Sequence, residues 1–165
     1  MMVKSLNKNF LINLLLISFI FLIDRLSKIY VIYLDNKELQ TQIFSSKYLN
    51  IQLLWNEGIA FGLFSLNQGK FYNFLTIIIT ILIIFILYLA FKSKGIKKYS
   101  LLLIFGGAIG NLYDRIFHNA VPDFIDLHIG GFHWFVFNVA DIFITIGVFF
   151  MILLEFTATN NKLKI

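Results

Sequence analysis

The chain holds 165 residues, 59% of them hydrophobic, with a mean hydropathy of +0.82 and a net charge of +5. A soluble domain is about 45–50% apolar, and the excess here lies in blocks long enough to cross about 30 Å of hydrocarbon, which takes about 20 helical residues. Composition therefore excludes an ordinary soluble domain and predicts one integral membrane domain over residues 1–165. The absence of cysteine excludes a disulfide scaffold, a thiol nucleophile and a cysteine-ligated metal. The lysines flank the apolar blocks, so the positive charge is no sign of nucleic acid.

The first apolar block predicts a membrane helix over about 10–34. It is too long for a signal-peptide core and no small-residue cleavage site follows, so it is read as retained. Asp24, Arg25 and Lys28 interrupt it. Asp24 and Lys28 are four apart and share a helix face, where they can pair; alternatively the helix ends near Ile23 and the cluster is its wet end. Between Asp35 and Lys70 the pattern turns strand-like. Leu49, Ile51, Leu53 and Trp55 fall on one side, and Asn50, Gln52 and Asn56 on the other. Asn56-Glu-Gly-Ile-Ala-Phe-Gly62 follows, with Gly58 and Gly62 pointing to a turn with close backbone approach.

A second helix is expected over about 71–91 and a third over about 99–117, the latter ending small and polar. Gly106, Gly107 and Gly110 suit close helix approach in lipid. Asn111, Asp114 and Arg115 share one face. The next loop alternates, with Val121, Asp123, Ile125, Leu127 and Ile129 on one side and a hairpin signal at Gly130-Gly131. A fourth helix is expected over about 134–156, placing Asp141 roughly 10 Å along it from Trp134, with Asn138, Asp141 and Thr145 on one face. Lysines concentrate at the N-terminus, at 92–98 and at the C-terminus. The positive-inside rule then gives four crossings with both termini cytoplasmic, and places the polar stretch from Gly106 to Asp141 near the outer surface.

Polar groups gathered where a bilayer penalises them indicate a site. No G-x-S-x-G occurs, no histidine lies inside a predicted helix, and no phosphate-cradling loop is present. Asp126, His128 and His133 have metal-ligand chemistry, but loop histidines are more often interfacial, and no metal site is assigned. Two carboxylates remain, Asp123 and Asp141. Two carboxyls in a low-dielectric site split their pKa values, so that one serves as base and the other as acid in water-activated amide hydrolysis. Three alternatives stand beside this. Asp123 is a solvated loop residue and Asp141 pairs with Arg115; or the carboxylates move protons or ions in a small transporter; or the chain is a membrane scaffold without chemistry.

Five motifs occur in order: Asp24-Arg-Leu-Ser-Lys28, Asn56-Glu-Gly-Ile-Ala-Phe-Gly62, Gly106-Gly-Ala-Ile-Gly-Asn-Leu-Tyr-Asp-Arg115, Val121-Pro-Asp-Phe-Ile125 and Phe137-Asn-Val-Ala-Asp141. With them the chain resembles the lipoprotein signal peptidases (signal peptidase II), bacterial intramembrane aspartyl proteases. Ser27 stands where the family usually has threonine, and Pro122 where it usually has an aliphatic residue. The resemblance implies an all-α membrane fold of four transmembrane helices. A small extracytoplasmic β-cradle would lie between helices 1 and 2, and a β-hairpin-like loop between helices 3 and 4. It implies Asp123 and Asp141 as the catalytic pair. Asn56, Gly58, Asn111, Arg115, Asn138 and Ala140 would bind substrate or support the site, and Asp24, Lys28 and Asp114 would be structural polar residues. Within this set Arg115 is expected to neutralise Asp114, and Asp24 to pair with Lys28 or Arg25 or to cap a neighbouring helix. The implied substrate is a prolipoprotein whose lipobox cysteine carries diacylglyceryl, cut on the amino side of that cysteine. The implied location is the bacterial inner membrane, in contact with lipid. No metal or organic cofactor is implied, and globomycin is the implied inhibitor.

Overall fold

A computed structural model describes residues 8–37, 42–58 and 68–162. Its helices are α1 (Lys8–Lys37), α2 (Gln68–Lys92), α3 (Gly95–His118) and α4 (Val139–Lys162). The strands are β1 (Phe44–Ser45) and β2 (Leu49–Asn56), between α1 and α2, and β3 (Val121–Ile129) and β4 (Phe132–Phe137), between α3 and α4. They form one antiparallel sheet in the order β1-β2-β3-β4. The protein is thus mostly helical with a small sheet, as the motifs imply.

Three helices, α1, α2 from Tyr72 and α4 to Thr157, are long and apolar enough to cross a membrane. Their outward residues are large and apolar, with Leu15, Leu26, Ile29, Ile84, Phe91 and Phe156 all at least 60% exposed. Water would make such a surface costly at about 25 cal/mol per Å²; a lipid environment removes that cost. The chain is a membrane protein. α3 carries Lys97, Lys98, Asp114 and Arg115, and it packs against each of the other three helices. Glycine lets it approach closely. A Cβ at Gly107 would collide with the carbonyl oxygen of Ala140 on α4, and one at Gly110 would lie 2.5 Å from Asp24 Oδ2 on α1.

The interior divides along the bundle. At one end Ala90, Leu101 and Leu102 form an apolar core with Leu16, Ile17, Ile86, Leu89 and Met151, drawn from all four helices. At the other end lie buried polar groups and the sheet. α1 does not stop near Ile23. It runs on to Lys37, and Asp24 and Lys28 are buried inside the bundle rather than wet.

Helix four starts later than hydropathy predicts. Residues 132–137 pair with β3, as in Ile125 opposite Phe137 and Asp126 opposite Val136, and α4 begins at Val139. A run such as Phe-His-Trp-Phe-Val-Phe satisfies either structure, and the free ladder of β3 decides it for the strand. Asp141 therefore sits in the first turn of α4 and not roughly 10 Å along it. The hairpin turn is at Gly130, with φ of +60°. In β2 the register shifts between Ile51 and Leu54, so the simple alternation of the sequence breaks. Asn50, on the side of Gln52 and Asn56, is buried, while Trp55 on the other side is exposed. Pro122 falls within β3 opposite Trp55.

Candidate active site

α3 ends on Asn119 in the left-handed conformation, with φ of +55°, and the chain turns directly into β3. This puts Asp123 at the top of the bundle, only 3% exposed. β2 pairs alongside and delivers Asn56, whose Nδ2 donates to Asp123 Oδ2 at 2.9 Å. Asn138 Nδ2 donates to Asp123 Oδ1 at 2.6 Å. Burial is the main influence on Asp123 and raises its pKa above the ordinary carboxylate range. The two amide donors pull it back down, and the negative charge of Asp141 raises it further.

Asp141 is held by the start of α4. The Asn138 N–H donates to Asp141 Oδ2 at 3.1 Å, and the Asp141 N–H donates to Asn138 Oδ1 at 3.2 Å. This reciprocal pair is a capping box, with asparagine at the cap and aspartate three residues on. Asn111 of α3 donates its Nδ2 to Asp141 Oδ1 at 2.8 Å.

Each of the three asparagines is oriented by a donor on its other end. Asn56 Oδ1 accepts the Gly58 N–H at 2.8 Å, Asn111 Oδ1 accepts Lys28 Nζ at 2.8 Å, and Asn138 Oδ1 accepts the Asp141 N–H. An amide with its oxygen so engaged has only its NH2 left for the carboxylate. Gly58, with φ of +73°, supplies the turn that brings its own N–H back to Asn56. Residues 59–62 of that motif lie outside the described residues.

Behind the pair is a buried quartet, Asp24, Arg25, Lys28 and Asp114. Lys28 Nζ donates to Asp24 at 3.0 Å and to Asp114 Oδ2 at 2.7 Å. Arg25 grips Asp114 through both Nη atoms and reaches Asp24 Oδ2 at 2.9 Å. Its guanidinium also lies over the Tyr113 ring, 4.9 Å from the centroid. Two negative and two positive groups leave the quartet neutral, which burial demands. Asp24 Oδ1 additionally accepts the Ala140 N–H at 3.0 Å. Of the alternatives for Asp24, it does all three: it pairs with Lys28, pairs with Arg25, and caps α4. Ala140, fully buried, serves the site through its backbone. Arg115 does not neutralise Asp114 and is not the partner of Asp141. Its Nη1 donates to the Asn111 carbonyl at 3.2 Å, one turn back on its own helix. Adjacent helix residues diverge by about 100°, so Arg25 and Lys28 from α1 reach Asp114 instead. Arg25 enters the sequence reading only as a partner for Asp24; its position one residue from Asp24 was the available signal.

Beside Asp141 opens an apolar cavity of about 620 Å³ between β4 and α4, lined among others by Trp134, Phe137, Ile142, Thr145 and Ile146. Thr145 shares the Asp141 face as its spacing predicts. Asp123 and Asp141 stand at the polar end of the bundle and Asp141 borders an apolar cavity, which defines a class: a membrane protein with a two-carboxylate polar site.

Comparison with known proteins narrows this. The family model described as "Signal peptidase (SPase) II" matches residues 16–157. The lipoprotein signal peptidase of Pelagibacter ubique (strain HTCC1062) is 53% identical over 155 residues, covering 94% of this chain and 93% of that protein. That of Anaplasma phagocytophilum (strain HZ) is 40% identical over 147 residues, covering 88% and 92%. A solved structure described as a bacterial membrane enzyme at 2.3 Å resolution superposes with a TM-score of 0.75 at 33% identity, covering 91% of this chain and 90% of that one. The chain belongs to the signal peptidase II family.

Proposed function

We propose that Asp123 and Asp141 are the catalytic carboxylates of this signal peptidase II. The enzyme is an aspartic endopeptidase that removes signal peptides from prolipoproteins. The observation that carries the assignment is the set of three asparagine amides, each turned by a second bond so that its NH2 meets one of these two oxygen pairs. Among the described residues neither group forms a salt bridge, and both are held by amide donors instead. One carboxylate takes a proton from water as the water oxygen adds to the scissile carbonyl carbon. The other, protonated, donates to the carbonyl oxygen. Collapse of the tetrahedral intermediate breaks the C–N bond, and a carboxyl proton goes to the leaving amine.

The substrate is a diacylglyceryl-modified prolipoprotein, cut on the amino side of the lipobox cysteine. Its lipid stays in the bilayer, and its apolar segment enters the cavity beside Asp141. Globomycin competes for the same place. Four helices cross the inner membrane of a bacterium. The apolar core adjoins the lysine-flanked helix ends, Lys8, Lys92, Lys97 and Lys98, which face the cytoplasm along with both termini. The sheet then forms an extracytoplasmic cradle and hairpin over the site.

The test uses purified enzyme and diacylglyceryl-modified prolipoprotein, with signal-peptide loss followed on a gel. Asp123→Asn and Asp141→Asn should each slow cleavage by at least about 10²–10⁴-fold, the usual contribution of a positioned acid or base. Cleavage at the wild-type rate by an equally well inserted Asp141→Asn protein would refute the assignment.

A further inference from the structure

The β3–β4 hairpin carries a second group of chemically active side chains that peptide cleavage does not use. Asp126 and His128 are two apart on β3, on either side of a register shift against β4. His133 of β4 is the cross-strand partner of His128. The ligand atoms of the three all lie within 4.8 Å of one another. We propose that Asp126, His128 and His133 form a binding site for a divalent transition-metal ion, Zn²⁺ foremost.

Three observations support it. Asp126 is 1% exposed, and burying a carboxylate is costly unless it is paired and hydrogen-bonded. The ion partner that the structure gives it is His133, whose Nδ1 stands 2.9 Å from Oδ2 and 3.1 Å from Oδ1. A metal ion between them would take the place of that contact, bound by the carboxylate and an imidazole nitrogen. Second, His128 Nδ1 is buried with no hydrogen-bond partner, a lone pair or N–H left without use inside the protein. Third, Asn50 Nδ2 donates to Asp126 Oδ2 at 3.2 Å and is itself fixed by Ser45 Oγ, which donates to Asn50 Oδ1 at 2.9 Å. That chain of bonds is the outer support that orients a metal-binding carboxylate.

Two imidazoles and one carboxylate suit Zn²⁺ and its neighbours and not Mg²⁺ or Ca²⁺, which prefer oxygen. The His128 and His133 rings lie nearly parallel, 22° apart with centroids at 5.0 Å. Tetrahedral ligation brings donor atoms to about 3.3 Å, given Zn–N bonds of about 2.0–2.1 Å. One ring must therefore turn, and His133, with its side chain 53% exposed, has room to do so. A fourth position is left to water. The ion ties β3 to β4 beside the apolar cavity, which His128 also lines.

Tag-free full-length protein in detergent should bind one Zn²⁺ in competition with a chromogenic chelator, and Mg²⁺ should not displace it. His128→Gln and His133→Gln should each weaken binding by more than the about 10–100-fold that loss of an outer support costs, and Asn50→Ala by an amount within that range. His118→Gln should change nothing. Exposed His133 serves as the test position if His128→Gln unfolds. No binding above that of the His128→Gln/His133→Gln double variant overturns the proposal. So does binding that survives in the double variant but vanishes in Asp123→Asn or Asp141→Asn, since the ion then belongs to the other carboxylates.

Discussion

Asp24→Ala should be among the most damaging single substitutions, since Asp24 is fully buried. Its fully buried carboxylate accepts three donors: Lys28 Nζ, an Arg25 Nη and the Ala140 N–H. The change leaves the quartet with one surplus positive charge and α4 with an uncapped N–H. Bonds to charged groups contribute about 1.5–3 kcal/mol each, but Arg25 and Lys28 both keep Asp114, so the two terms do not add in full. Removing one member of a buried ion pair costs about 3–5 kcal/mol. The folded-to-unfolded ratio should fall by roughly two to three and a half powers of ten, at about 1.4 kcal/mol per power. Unfolding in mixed micelles of rising SDS fraction measures this directly. Asp24→Asn keeps an oxygen for Ala140 and should recover about 1 kcal/mol, the worth of a cap. If Asp24→Ala unfolds within about 0.5 kcal/mol of the wild type, as an ordinary surface change would, the quartet does not hold α1, α3 and α4 together.

Arg25→Ala should cost about 3–5 kcal/mol by the same logic, whereas Arg115→Ala, which loses one bond to a backbone carbonyl, should cost about 1 kcal/mol; the same micelle titration separates them. Gly107→Val should drive α3 off the Ala140 carbonyl and cost more than about 2 kcal/mol, seen as lower yield of inserted protein and a lower unfolding midpoint. The raised pKa of Asp123 gives a signed pH effect. Folding favours the protonated form, so this group's contribution is complete below the ordinary carboxylate value of about 3.9. It is lost as pH rises through the higher folded value. Unfolding midpoints against pH should show a fall across that window that is missing in Asp123→Asn; identical profiles would refute it.

Much of this was legible in the chain. Membrane helices announce themselves by length and apolarity, and the ordered motifs carry Asp123, Asp141 and the three asparagines. What composition could not decide was where the aromatic run at 132–137 belongs, because phenylalanine, tryptophan and valine suit a strand as well as a helix. Only the presence of β3 as a partner settles it, and with it the place of Asp141 at a helix start. Arg115 misled for a related reason: neighbours in sequence are not neighbours on a helix, and the true partners of Asp114 come from 86 and 89 residues away. The alternation read along β2 also assumes an unbroken strand, and the register shift between Ile51 and Leu54 breaks it.

The doubly engaged asparagines have a consequence for how the molecule is made. Asn56 reports that β2 has turned at Gly58, Asn111 that α1 has delivered Lys28, and Asn138 that α4 has begun. Asp123 has its full set of donors only when Asn56 and Asn138 are in place, and Asp141 only when Asn111 and Asn138 are. A nascent chain with its last helix still in the ribosome or the insertion machinery carries Asp123 and its Asn56 donor but lacks Asn138 and Asp141. The arrangement around the two carboxylates is thus completed only with α4, the last of the described elements in chain order.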